Sequence, residues 1–188
     1  KKSFIPVYFI VALLAFLLFK FYIQTDNFSV YLLVAFVAIL GLVLTSKISG
    51  KLISRIGNIV LMTTGLIIMI VAYTSLGLLQ YILNPVTISL LLLIYGIGGG
   101  FFLPSNTSAI MGTVSQDMQG TAGATQRMIQ NIGIAFYTAV TSLFISNSSN
   151  SDKLIEGSSH AWLFASITLF LALLPFLLKI LKTKYEPN

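Results

Sequence analysis

The sequence predicts an all-α polytopic membrane protein with six transmembrane helices, and three observations lead to this fold class. Of the 188 residues, 9% are charged and 56% are apolar, whereas soluble domains carry about 25% charged residues. The mean hydropathy is +0.94. The apolar residues also fall in runs of about 20, the length that a helix needs to cross a bilayer.

Six segments have this length, and we refer to them as spans A to F. They lack the alternation of a lipid-facing strand, and a helix satisfies its own backbone hydrogen bonds in lipid. The two sets of three spans could form an inverted repeat. The approximate limits are Phe4–Ile23 (A), Phe28–Ser46 (B), Ile59–Leu79 (C), Val86–Met111 (D), Ala122–Ser146 (E) and Ala161–Ile180 (F).

Two connections are informative. Lys47–Asn58 is a basic loop with glycines between spans B and C, and Asn147–His160 is a Ser/Asn-rich loop between spans E and F. No segment has room for a soluble domain. Span A could pass for a signal peptide, but no small-residue cleavage site follows it. Because the chain does not begin with Met, we expect a processed product or a piece of a longer protein.

The positions of Lys and Arg predict the orientation, since cytoplasmic loops carry an excess of both. With the N-terminus inside, nine basic residues lie on the cytoplasmic side and only Lys20 and Lys153 lie on the other. We therefore expect a multi-pass protein of the cell membrane with both ends of this segment in the cytoplasm. The net charge of +6 then needs no nucleic acid to explain it. The nine are Lys1, Lys2, Lys47, Lys51, Arg55, Arg127, Lys179, Lys182 and Lys184.

Several chemistries are excluded by what the sequence lacks. There is no cysteine and only one histidine, His160, so we expect no thiolate catalysis, metal site or cofactor. The glycines of span D follow no strand and lack the Lys-Ser/Thr ending of a phosphate loop. No nucleophile, base and acid occur together in the spans, so we predict that the protein is not an enzyme. All five carboxylates lie in connections or the tail: Asp26, Asp117, Asp152, Glu156 and Glu186.

Span D contains a cluster of glycines followed by a proline. Gly96 and Gly100 form a GxxxG pair, which lets another helix approach closely. Pro104 removes a backbone donor and favours a kink. Two interpretations stay open, namely close helix packing and a weak point where span D bends during a transport cycle. Its spacing also places Tyr95, Gly99, Phe102 and Asn106 on one face.

Span E carries a polar stripe along one face. Such a stripe must face protein or a water-filled cavity, so it either lines a substrate cavity or forms hydrogen bonds between helices without a ligand. Nearby Arg127 could pair with Asp117 or a lipid phosphate, or act in a gate. The stripe consists of Gln126, Gln130, Gly133, Tyr137 and Thr141.

Spans C and F are apolar almost all round, so they can face lipid. Trp162, near the predicted start of span F, is then expected in the outer aromatic belt. His160 is expected to lie beside it at the membrane interface.

Two motifs resemble a known family. Gly50-x-x-x-Ser54-Arg55-x-Gly57-Asn58 resembles the Gly-x-x-x-Asp-Arg-x-Gly-Arg loop of the major facilitator superfamily, which lies between the second and third helices of each six-helix half. Spans D and E are similar to the C-terminal half of the 14-span multidrug:proton antiporters. The second resemblance rests on Gly96-x-Gly98 to Pro104, Gly120-Thr121-Ala122-Gly123 and Gln130-x-x-Gly133-x-Ala135.

The resemblance implies a C-terminal six-helix bundle that exports amphipathic or cationic drugs by alternating access and so confers antibiotic resistance. Protons would drive export, and the partner would be a missing N-terminal half of six to eight helices or a second copy. Spans A, B, D and E would border the cavity. Because Ser54 and Asn58 replace an acidic and a basic residue, we expect a weak or absent charge lock between helices.

The candidate residues fall into two groups. Those for the substrate cavity are Tyr95, Phe102, Asn106, Gln126, Gln130 and Tyr137. Those for gating are Gly50, Arg55, Gly57, Gly96, Gly100, Pro104, Asp117 and Arg127. Two other functions stay open: a facilitator-type carrier of another small solute, and a non-transporting membrane scaffold or remnant.

Overall fold

The computed structural model describes residues 26–79, 84–146 and 150–185, and these form five long helices with no strand among them. Span A lies outside the described residues, while α1 to α5 contain spans B to F. All five helices are long and apolar enough to cross a membrane, which confirms the predicted all-α polytopic class. The helices are α1 (Asp26–Ile56), α2 (Asn58–Leu79), α3 (Pro85–Met111), α4 (Gln119–Ser146) and α5 (Ser151–Tyr185), with a short 3-10 helix at Gln116–Met118.

The first helix continues through most of the predicted loop Lys47–Asn58, so the prediction of an irregular connection there is wrong. A single glycine inside a helix costs about 1 kcal/mol, and Gly50 does not stop α1. Only Gly57 separates α1 from α2. It has φ +83°, and its N–H donates to the Ile53 carbonyl at 3.0 Å, as in a left-handed helix cap.

The length of α1 places its basic end outside the hydrocarbon. Its 31 residues span about 46 Å, whereas a bilayer core is about 30 Å thick. Lys51 and Arg55 are exposed near this end. The cationic side chains therefore reach beyond the apolar layer, where water or lipid headgroups can solvate them.

The predicted polar loop Asn147–His160 is also largely helical, because α5 begins at Ser151. Asp152 lies in its first turn, where a carboxylate is favoured by the helix dipole. The Leu154 N–H donates to the Asn150 carbonyl at 3.0 Å. His160 and Trp162 consequently lie inside a helix rather than at its start.

The third helix packs tightly on α1 through its GxxxG pair. A Cβ added at Gly100 would lie 2.7 Å from the Leu42 carbonyl oxygen, and one at Gly96 would overlap the Ala38 carbonyl. These positions therefore accept only glycine without movement of α1. The packing interpretation of this pair is confirmed, while α3 remains one continuous helix across Pro104.

The opposite face of α3 packs on α2 in the same way. A Cβ at Gly98 would lie 2.8 Å from the Gly65 carbonyl oxygen, and one at Gly65 would lie 2.7 Å from the Gly98 oxygen. On the α1 side, Ser49 and Ser105 are fully buried, with their Oγ atoms 3.4 Å apart. The third helix thus touches two neighbours at backbone distance.

The described buried hydrophobic residues all lie on α2 and α5. Polar contacts between these helices include Thr74 Oγ1, which lies 2.6 Å from Ser166 Oγ, and the Ser159 hydroxyl, which donates to the Gly77 carbonyl. Their other faces are apolar and exposed, as lipid contact requires. The buried hydrophobic residues are Leu61, Met62, Leu66, Ala72, Leu76, Ala161, Ala165 and Leu173.

We name the two ends of the bundle by residues that mark them. The Gly57 end holds the α1–α2 junction, the end of α3 and the start of α4. The Asn84 end holds the start of α3, where the Asn84 side chain accepts a hydrogen bond from the Thr87 N–H at 2.8 Å. In contrast with the other helices, α4 has no buried residue, and its contacts among the described residues are mainly with α5.

We predict that Gly96→Ala lowers the free energy of unfolding by about 1–3 kcal/mol, because the added methyl group forces α1 and α3 apart. The matched control is Gly133→Ala on α4, where a Cβ would meet nothing within 4 Å. This control should gain up to about 1 kcal/mol of helix propensity. Denaturation of the purified protein in mixed micelles measures both, and equal stabilities would contradict the packing described here.

We also predict that Gly57→Ala costs about 1–2 kcal/mol, because an alanine is strained at positive φ. Gly57→Asn should cost less, since asparagine adopts this conformation more readily. The same denaturation experiment compares the two. If alanine were tolerated as well as asparagine, the left-handed junction would be wrong.

Candidate functional site

The polar stripe of α4, which we call the amide face (Gln126, Gln130, Gly133, Tyr137 and Thr141), is anchored at both ends. Gln126 Nε2 donates to Thr107 Oγ1 on α3 at 3.1 Å, and the Tyr137 hydroxyl donates to the Ala161 carbonyl on α5 at 3.1 Å. Between these anchors Gln130 is exposed. The face therefore turns toward α3 and α5, with an unpacked middle.

The three candidates on α3 lie in different surroundings. Tyr95 stacks on Tyr73 of α2, with ring centroids 4.7 Å apart. Phe102 has its backbone against α2, since a Cβ at Gly65 would lie 2.8 Å from its nitrogen. Asn106 is half-buried, and neither its side chain nor that of Gln130 has a hydrogen bond to another described residue.

An aromatic cluster joins Tyr95 to helices that were expected to face lipid. Tyr73 packs on Trp162 of α5 with ring centroids 5.4 Å apart. The indole therefore packs against the bundle, and its place in the outer aromatic belt stays a prediction. Tyr73 was not among the predicted cavity residues, although it is the one aromatic residue of span C. A second group of rings joins Tyr137 to Phe164 at 6.0 Å.

A cavity of about 370 Å³ lies beside this cluster at the Asn84 end of the bundle. All four of the helices α2 to α5 contribute to its wall, and none of its lining side chains is charged. Two members of the amide face, Tyr137 and Thr141, are among them. The lining residues are Leu76, Ile88, Tyr137, Thr141, Ile145, Ser158, Ala161 and Trp162.

A second cavity, of about 550 Å³, lies at the Gly57 end. It is bordered by the α1–α2 junction, the end of α3 and Lys179 of α5. Asn58 Oδ1 is buried there without a hydrogen-bond partner. Of the gating candidates only Gly57 borders this cavity, whereas Gly50 and Arg55 lie exposed on α1.

The structure does not bring Asp117 and Arg127 together. Asp117 lies in the 3-10 helix before α4, where its exposed carboxylate accepts a hydrogen bond from the Ser115 side chain. Arg127 is exposed nearly three turns further along the chain. Among the described residues Arg127 forms no ion pair with Asp117. The predicted pairing of these two residues is therefore wrong. Among all the residues that the structure describes, no three potential metal ligands lie close together.

The sequence is similar to known transport proteins. Residues 3–138 match the model of the Major Facilitator Superfamily. The riboflavin transporter RibZ of Clostridioides difficile (strain 630) is 27% identical over 125 residues. That alignment covers 66% of this chain and 27% of the transporter, so the chain matches only about a quarter of this relative's length. No solved structure matches the chain.

We predict that Gln126 and Thr107 are energetically coupled. A double-mutant cycle with Gln126→Leu and Thr107→Val should give a coupling free energy of about 0.6 kcal/mol, the average for hydrogen bonds between membrane helices. The cycle compares the free energies of unfolding of the natural protein, the two single variants and the double variant in mixed micelles. Strict additivity would contradict the contact between α3 and α4.

Proposed function

Because the chain belongs to the major facilitator superfamily, we propose that it is one half of a proton-coupled exporter of amphipathic or cationic organic molecules. Transport would follow alternating access, in which two bundles rock about a site near the middle of the membrane. The second bundle would be an N-terminal half or a second copy of this one.

The observation that carries this proposal is the environment of α4. This helix is long and apolar enough to span a membrane, yet none of its residues is buried. Exposed polar side chains such as Gln130 cannot face acyl chains without a large cost in free energy, so they must face protein or water. A companion bundle with an aqueous cavity between the two halves supplies both surroundings.

The side chains favour a neutral or cationic substrate over an anionic one. The amide face and α3 offer amides and hydroxyls, which bind polar groups, and aromatic rings, whose faces attract cations. The described carboxylates lie close to helix starts or in connections: Asp26, Asp117, Asp152 and Glu156. The acids that carry the coupling protons would therefore belong to the companion bundle.

The same residues suggest which helices move. Pro104 leaves the Gly100 carbonyl without its usual helical donor, which makes α3 a place for bending. The few contacts of α4 would let it shift against α3 and α5. Gly50, Arg55 and Gly57 would act where α1 and α2 meet, and Arg127 would act at the mouth of the cavity.

A second candidate is a carrier of flat heterocyclic solutes. One observation favours it, namely the similarity to a riboflavin transporter. Uptake and efflux assays with riboflavin and with a cationic dye would separate the two candidates. Transport of riboflavin alone would favour the second.

We predict that Gln126→Ala combined with Gln130→Ala lowers drug export by the full-length protein about tenfold, since each lost hydrogen bond costs about 0.5–1.5 kcal/mol. Drug susceptibility and dye efflux at equal expression provide the measurement. The matched control is Gln119→Ala, an exposed glutamine at the first position of α4, which should export normally. Undiminished export by the double variant would contradict the assignment of the amide face.

A further inference from the structure

The cavity at the Asn84 end lies within this bundle, bordered by α2, α3, α4 and α5. The amide face touches it only through Tyr137 and Thr141. Its volume of about 370 Å³ falls within the range of sites for small organic molecules, which is about 300–1,000 Å³. It is therefore large enough to hold a ligand without any partner bundle.

The three hydroxyl groups that line this cavity have already used their protons. Tyr137 donates to the Ala161 carbonyl, Thr141 donates to the Tyr137 carbonyl at 2.9 Å, and Ser158 donates to the Leu154 carbonyl at 2.8 Å. Each oxygen keeps a lone pair that can accept a hydrogen bond. The Trp162 indole also borders the cavity and carries an N–H that can donate. An anion would meet no positive charge here, so the chemistry favours a neutral or cationic guest.

Two aromatic rings border the cavity, and protein contacts hold both of them. Trp162 packs on Tyr73, and Tyr137 is fixed by its hydrogen bond to Ala161 and by stacking on Phe164. Rings that are ordered in advance lose little conformational entropy when they bind a ligand. Indole and phenol faces also attract aromatic rings and cations.

We propose that this cavity binds the planar aromatic part of a neutral or singly charged cationic molecule, with Trp162 and Tyr137 as its aromatic walls. As a binding site it depends only on the described bundle. As a substrate subsite it rests on the proposed function, because the bound molecule would then be one that the protein transports.

A binding experiment tests the site without transport. Trp162 is the one tryptophan of the chain, so ethidium bound in the cavity should quench its fluorescence in the purified full-length protein. The quenching is read as the difference between the natural protein and Trp162→Phe. The anionic dye fluorescein should not quench it. Absence of quenching by ethidium would mean that protein or lipid fills the cavity, and would overturn the proposal.

Variants locate the bound molecule. Trp162→Leu should weaken ethidium binding about two- to tenfold, as expected for the loss of one aromatic contact, and Ser158→Leu should weaken it by filling the cavity. The matched control is Phe170→Leu, an aromatic residue of α5 that is 52% exposed, which should bind as before. If Phe170→Leu lost as much affinity as Trp162→Leu, the site would lie elsewhere and the proposal would fail.

A transport assay separates this proposal from the proposed function. Trp162→Leu should slow the export of ethidium while leaving that of tetraethylammonium, a cation without rings, unchanged. Quenching without any transport would support the site and contradict the exporter. Normal ethidium export by Trp162→Leu, together with an absence of quenching, would overturn the site and leave the exporter standing.

Discussion

The close approach of α3 to two neighbours is the contact on which the described bundle depends. Between membrane helices the hydrophobic effect supplies little attraction, so packing at short range must hold them together. Glycines at 96 and 100 admit the backbone of α1, and glycine 98 on the other face admits α2. The position of α3 then sets the positions of Tyr95 and Thr107, through which it meets the aromatic cluster and α4.

The lightly packed α4 is the helix on which the proposed transport mechanism depends. A helix held firmly on every side cannot change its neighbours, whereas α4 is joined to the rest by few contacts such as those of Gln126 and Tyr137. Its exposed amides need a polar or proteinaceous surrounding that the described residues do not supply. In the proposed mechanism this one helix would carry both the binding groups and the freedom to move that alternating access requires.

Much of the fold could be predicted from the sequence, because apolar runs of membrane length leave few alternatives to helices. The ends of the helices were harder to predict. Lys47–Ile56 is polar enough to resemble a loop, yet only Gly57 adopts a backbone conformation that ends the helix. The GxxxG pair predicted a close helix contact but not the neighbouring helix, because the spacing of the glycines does not say which helix packs against them. The contact between Trp162 and Tyr73 was not predicted, because the apolar spans C and F gave no periodic signal for the face that turns inward.

We propose that the amide face of α4 borders an aqueous cavity and not acyl chains. The chain contains no cysteine, so single cysteines can report accessibility along α4. A hydrophilic maleimide should label cysteines at positions 130 and 133 in membranes, while a cysteine at the apolar, exposed position 170 of α5 should stay unlabelled. Labelling at position 170 with none at 130 and 133 would contradict the account.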